Sequence, residues 1–365
     1  MFLDTKTEVG YGYDKDPFSA LEAITEAQKI AFAPMLFQAA LNLRDSGILT
    51  FLDQVGTQGA TADEITDSVH INHYAVQLLL DVGLSSRIVY QNEQRFFLGK
   101  VGHFLLHDKM TRVNMDFSHD VCYQGMFHLK EALENSQPSG LKVFGDWPTI
   151  YPALSELPEA ARESWFAFDH FYSDAAFNAA FKHIFPLQPE HIYDVGGNTG
   201  KWALCCAKND DNVKVTLLDL PQQIALAEKN IAESGYSERI KGYGVDLLTA
   251  EKLPNEADVW WMSQFLDCFS EEQVVHILTL IHDNMKPDAQ VCIMEVFWDR
   301  QPFEAGALSL NASSLYFTCM ANGNSRFYHS RVLYDCLRKA GFYVEQDIDN
   351  LGLGHTLLIC KRMPD

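Results

Sequence analysis

Apolar residues recur at three- and four-residue intervals through Leu21, Ile24, Ala31, Met35, Leu36, Ala39, Ala40 and Leu43, which predicts a helix that Pro34 must kink or divide. Before it, residues 1–20 carry Gly10, Gly12 and Pro17 among aromatics without a sustained period and read as an arm. Thr61-Ala62-Asp63-Glu64 is a capping box opening a short helix through Ile65 and Val69. Asn72 caps another, through Val76, Leu79, Leu80 and Val82 to Gly83. Arg87–Tyr90 and Arg95–Leu98 then read as two short strands about the polar turn Gln91–Gln94. Helices closed by a hairpin make the plan of a winged helix. Residues 104–186 read as connecting helices rich in aromatics, most of them packing residues and a minority, among candidates such as Trp165, Phe168 and Phe177, walling an apolar pocket.

From residue 191 the period changes. Strands are expected at Ile192–Val195, Lys214–Asp219, Ile240–Val245, Val259–Met262 and Val291–Val296, alternating with helices after Gly200, through Ile224 to Ile231 and over Ser270–Met285. Such alternation implies a parallel, doubly wound α/β sheet. A last helix, Leu333–Ala340, precedes Phe342–Ile348 and Thr356–Cys360, whose short glycine-bearing link predicts an antiparallel hairpin at the sheet edge. The expected division is a winged-helix-like dimerisation domain over 1–105, connecting helices that contribute to a substrate pocket over 106–186, and a cofactor-binding domain over 187–365.

Charge narrows the partners. The net charge of −21 disfavours nucleic acid and anionic membranes. Between residues 41 and 100 the basic Arg44, Arg87, Arg95 and Lys100 face seven acidic residues, the reverse of what a DNA reader needs. No stretch approaches eighteen apolar residues and no basic-then-apolar leader opens the chain, so the expected location is the cytoplasm. Eight scattered cysteines without a C-x-x-C pair read as reduced thiols, and no spacing supports a zinc or other metal site.

The segment Asp194-Val195-Gly196-Gly197-Asn198-Thr199-Gly200 falls where a strand ends and a helix starts, the place where doubly wound sheets bind ligands. A dinucleotide fingerprint would place glycine at 198 and 201, where Asn198 and Lys201 stand. A carboxylate at 194 would repel a pyrophosphate but suits a cationic amino acid tail, as in S-adenosylmethionine. Asp219, ending the second strand, is placed to accept from both ribose hydroxyls. Asp246, read as ending the third, is placed for an adenine amino group, with Leu247 against the ring.

With these residues the chain resembles the plant caffeate-type and bacterial small-molecule O-methyltransferases, which pair an N-terminal winged-helix dimerisation domain with a C-terminal S-adenosylmethionine-binding domain. The likeness is carried by Gly59–Ile65, the loop 194–200, Leu218-Asp219-Leu220-Pro221, Asp246-Leu247, and Met285-Lys286-Pro287 followed by Val291–Glu295. It implies a homodimer, a small-molecule methyl acceptor, expected to be an aromatic or conjugated hydroxyl compound, and a cofactor set of Asp194, Gly196, Gly197, Gly200, Asp219, Leu220, Asp246, Leu247 and Ser263. It also implies a catalytic histidine after the fourth strand, but Asp267 stands there. Glu295 matches the glutamate that orients that histidine, while a second orienting glutamate falls in Phe327-Tyr328-His329 and is absent.

The expected catalytic pair is therefore Asp267 with Glu295. An ordinary aspartate is a far weaker base than histidine, but two carboxyls facing each other at neighbouring strand ends would raise one of them. Asp267 also reads as an ordinary carboxylate near a helix start, since Ser270 and Gln273 form a capping box. His119, His128, His170 and His329 are the other bases available. Two alternatives stay open: a cofactor-binding protein of this fold with lost or altered chemistry, and a metabolite-sensing winged-helix regulator.

Overall fold

A computed structural model describes residues 11–364, apart from the side chain of Asp174, and these divide into two units, one of Gly12–His119 and the other of residues 120–364 with Tyr11. Residues 1–10 of the expected arm lie outside the described residues; residues 11–19 precede the first helix without regular structure.

In the first unit Pro34 divides the predicted helix into Ala20–Ala31 and Ala33–Asp45, sitting in the first turn of the second, where its missing N–H costs nothing. Helices Ile48–Val55, Ala62–Ser68 and His73–Ser85 follow. The capping box at Thr61 is closed in both directions: the Thr61 N–H donates to Glu64 Oε2 at 2.8 Å and the Glu64 N–H to Thr61 Oγ1 at 3.2 Å. Strands β1 (Val89–Asn92) and β2 (Arg95–Leu98) pair antiparallel, so the turn is shorter than the expected four residues, with Glu93 at φ 52°. The unit's core is Leu43, Ile48, Leu49, Leu52, Ile65, Val76 and Leu80.

The second unit holds a seven-stranded sheet. Its strands are β3 (His191–Val195), β4 (Lys214–Asp219), β5 (Ile240–Gly244), β6 (Val259–Ser263), β7 (Gln290–Glu295), β8 (Phe342–Leu351) and β9 (His355–Arg362). The order is β5-β4-β3-β6-β7-β9-β8, the first five parallel and the last two antiparallel. The terminal hairpin is at the edge, as its short link predicts, with β9 inside and β8 outside.

Alternation along each strand divides the core between the two faces. Tyr193, Trp260, Met262 and Ile293 pack on one face under helices Glu271–Asn284 and Ser330–Lys339. Ile192, Leu217, Trp261 and Cys292 pack on the other, with helices Lys201–Asn209 and Pro221–Ser234 and the end of Glu159–Ile184. All eight cysteines are unpaired, and no helix of the described residues is long and apolar enough to cross a membrane.

The chain runs outward from β3 to β4 and β5, then crosses back to β6 on the other side of β3. The carboxyl ends of β3 and β6 thus flank a topological switch point, where a crevice opens. Trp261 of β6 stacks on Trp202, in the first turn of the helix after the glycine loop, with ring centroids 4.1 Å apart. Removing the fully buried Trp261 ring leaves a large void under that turn. Trp261→Ala is expected to lower the unfolding free energy by about 3–5 kcal/mol, read by urea denaturation.

Candidate active site

β3 is buried on both faces and ends at Val195, after which Gly196 adopts φ 71°. No other residue fits: a Cβ there would lie 2.1 Å from the ring of Phe265, which follows β6. At Gly197 a Cβ would meet Asp194 Oδ2 at 2.9 Å, and Gly200, at φ 81°, precedes the first turn of Lys201–Asn209. The loop therefore lies flat over the Asp194 carboxyl, with its backbone open to a ligand.

Asp194 is 2% exposed, and its Oδ2 has no hydrogen-bond partner among the described residues. Burial, then the neighbouring charge of Asp219, pushes this carboxyl up to about 8, against a lowering N–H of Ala203. The cleft above it spans about 480 Å³, part of it open to solvent, and is walled by Gly196, Gly197, Asn198, Thr199, Lys201, Ser263, Gln264 and, from the helix Glu159–Ile184, Asp169, His170, Ser173 and Phe177. Ser263 Oγ is a second buried polar atom without a partner. An orphaned carboxylate oxygen beside glycine backbone is a costly arrangement for the protein alone and suits a cationic ligand.

Asp219 at the end of β4 accepts from the Asn198 N–H at 2.9 Å and the Leu220 N–H at 2.7 Å, one on each oxygen. Burial raises its carboxyl although both N–H groups pull it down. Asp246 lies beyond β5 rather than ending it, exposed in a turn where its Oδ1 accepts from the Leu248 N–H at 3.0 Å. The chain joins these strand ends through the Val245 N–H, which donates to the Asp219 carbonyl at 2.8 Å. Asp219, Leu220, Asp246 and Leu247 stand outside the walls of the Asp194 cleft. Leu247 is 6% exposed and belongs to the core, because its side chain follows the sheet face rather than the crevice.

The segment after β6 forms a second buried polar cluster. Glu295, 3% exposed at the end of β7, accepts at Oε1 from the Phe265 and Leu266 N–H groups, at 3.1 and 2.9 Å. It therefore holds the turn that carries Asp267. Asp267, in the short turn Leu266–Cys268, is 5% exposed and accepts from the Cys268 thiol at 3.4 Å. Burial raises both carboxyls well above the ordinary carboxylate range; the charge of Asp267 raises Glu295 further, and that of Asp169 raises Asp267. The capping box at Ser270 is present as well, but Asp267 makes no bond to it.

Aromatic hydroxyls adjoin this cluster. Tyr316 accepts from Trp165 Nε1 at 2.6 Å, and Tyr151 accepts from Asn322 Nδ2 at 3.1 Å. Burial lifts both phenols, and the charges of Asp267 on Tyr151 and of Asp169 on Tyr316 add to it. Asp169 also accepts from Asn198 Nδ2 at 3.3 Å, so it reaches both the glycine loop and the field of Asp267. Sequence reading missed it. Nothing marks one aspartate inside a 26-residue helix until the helix is placed. Of the four histidines weighed, His170 alone walls the cleft, whereas His329 caps the helix Ser330–Lys339, accepting from the Arg331 N–H at 3.1 Å.

Residues 175–343 match the O-methyltransferase domain family, and residues 25–96 match the Dimerisation2-like domain. The L-tyrosine C(3)-methyltransferase of Streptomyces lavendulae is 24% identical over 312 residues, spanning 83% of this chain and 84% of that protein. The N,N-dimethyltransferase OxyT of Streptomyces rimosus is 25% identical over 289 residues, 76% of this chain and 81% of its own. The apo crystal structure of the S-adenosylmethionine-dependent methyltransferase SibL superposes with a TM-score of 0.71 at 22% identity, covering 92% of this chain and 98% of that one.

The raised Asp194 carboxyl makes a testable link to stability. Between the ordinary carboxylate value of 3.8 and about 8, the folded state keeps a proton that the unfolded chain has released. Stability contributed by this group therefore falls as pH rises through that window. Asp194→Asn cannot ionise, and its thermal midpoint relative to the native protein should climb steadily from pH 5 to pH 8; a constant offset would contradict the assignment.

Proposed function

The chain belongs to the S-adenosylmethionine-dependent small-molecule methyltransferases with an O-methyltransferase domain, and from that premise we propose that it transfers a methyl group to a small aromatic or conjugated hydroxyl compound. The observation that carries this reading is the unpartnered Asp194 oxygen beneath the glycine loop. S-adenosylmethionine supplies an electrophilic methyl when bound. Asp194, Gly196, Gly197, Gly200 and Ser263 would hold its amino acid end. Asp219 and Leu220 would hold the ribose and Asp246 the adenine, while Leu247 supports that turn from the core.

At the acceptor, Asp267 is the proposed base in the place of the family's histidine. A carboxyl in its ordinary range takes a phenolic proton poorly; burial and the charge of Asp169 bring Asp267 toward the range of a useful base. Glu295 is a positioning residue, since it grips the two N–H groups just before Asp267. Closure of the cleft against water would favour the transfer by alignment.

A second reading, ring-carbon methylation of a phenol, is favoured by the similarity to the L-tyrosine C(3)-methyltransferase, which spans 83% of this chain. There the bound cofactor would supply the same electrophilic methyl to a ring carbon, and Asp267 would take the ring proton that the methyl displaces. Both readings use the same carboxyl.

A homodimer fits the helix Ala20–Ala31, which has no buried residue within its own chain although Leu21, Ile24 and Ile30 lie on it, 60–80% exposed. The strongly negative charge supports no nucleic-acid partner.

Incubation with methyl-labelled S-adenosylmethionine and a panel of phenols, followed by carbon NMR of the product, should give a methoxyl signal; an aryl-methyl signal would select the second reading. Cofactor binding without turnover of any phenol would overturn both. Asp267→Asn is expected to lower kcat by about 10²–10⁴ with cofactor affinity unchanged. Because the native carboxyl must be ionised to act, kcat should rise with pH on a limb displaced upward from the ordinary carboxylate range. In sedimentation, Ile24→Glu should convert a dimer to monomer.

A further inference from the structure

Two histidines four apart share one face of the helix Lys100–His107, in the first unit, which does not carry the glycine loop. Across from them the helix Ile48–Val55 presents Asp53. His107 Nε2 lies 2.9 Å from Asp53 Oδ2, and the His103 ring leans on that of His107 with centroids 4.7 Å apart. One ligand atom from each of the three residues falls within 4.8 Å of the others, and all three side chains are exposed.

From this grouping we infer that Asp53, His103 and His107 form a surface site for a divalent transition-metal ion. Two imidazole nitrogens and one carboxylate oxygen suit zinc, nickel or copper, whereas calcium and magnesium demand mainly oxygen ligands. Metal–ligand bonds of about 2.0–2.2 Å place two ligand atoms roughly 3–3.5 Å apart on one ion. The Asp53–His107 separation is already close to that, and His103, whose ligand atom lies within 4.8 Å of the other two on an exposed side chain, would have to close in further. Three protein ligands leave the remaining positions to water. The ion would clasp the helix Ile48–Val55 to the helix Lys100–His107, so it stabilises the first unit rather than taking part in methyl transfer. Affinity is expected in the micromolar range, because exposed ligands with no buried support are poorly preorganised.

The test uses the full-length, tag-free protein stripped with a chelator. Zinc chloride titrated by calorimetry should bind one ion per chain and raise the thermal midpoint, and cobalt chloride should give a visible ligand-field band. In the double variant His103→Ala, His107→Ala the affinity should fall by at least about tenfold and the thermal shift should disappear. Asp53→Asn should weaken binding less, and methyl-transfer activity should be unchanged in all variants. Zinc uptake of equal affinity in the double variant would place the ion elsewhere, for example on cysteine, and overturn the inference. Absence of any uptake at 100-fold excess zinc would overturn it too, leaving an ordinary imidazole–carboxylate pair.

Discussion

The close approach of the Gly196 backbone to the Phe265 ring is the constraint on which the site depends. These two residues follow β3 and β6, the strands that flank the switch point, and a single Cβ at 196 would lie 2.1 Å from the ring. Contact at that distance leaves only glycine, and glycine alone takes φ 71° there without strain. Because the loop is pressed down, Asp194 is sealed beneath it and its outer oxygen is left without a protein partner. The same packing fixes the turn after β6, and that turn carries Asp267.

The second organising feature is an excess of buried negative charge. Asp194, Asp219, Asp267 and Glu295 all end strands or follow them, and burial lifts every one of the four. Burial disfavours the charged form of each, because an unpaired buried carboxylate is expensive. A cationic ligand would offset that cost. Negative charge so placed suits a sulfonium and ammonium compound better than a phosphorylated one.

Glu295 makes a contact that the resemblance did not imply. In the resemblance it orients a histidine. Here its Oε1 accepts from the Phe265 and Leu266 N–H groups and so orients the backbone before Asp267. With a carboxyl rather than an imidazole at 267, the contact Glu295 makes to this segment is to its backbone.

Much of the architecture was legible in the residues themselves, for local reasons. Alternation of strand and helix periods after residue 191 specified a parallel sheet, capping boxes at Thr61 and Ser270 located helix starts, and glycines after Asp194 marked the ligand loop. These signals are carried by neighbours in the chain, so they need no knowledge of packing. Only tertiary structure brought Asp169 to Asn198 and into the field of Asp267, turned Leu247 into the core, moved Asp246 into a turn beyond β5, and set Asp53 beside His107. Each depends on how separate helices and strands pack, and the shifts in carboxyl ionisation depend on the burial that this packing creates. Local sequence determines which elements form and where they stop; dehydration and juxtaposition, from which the chemistry arises, exist only once those elements have met.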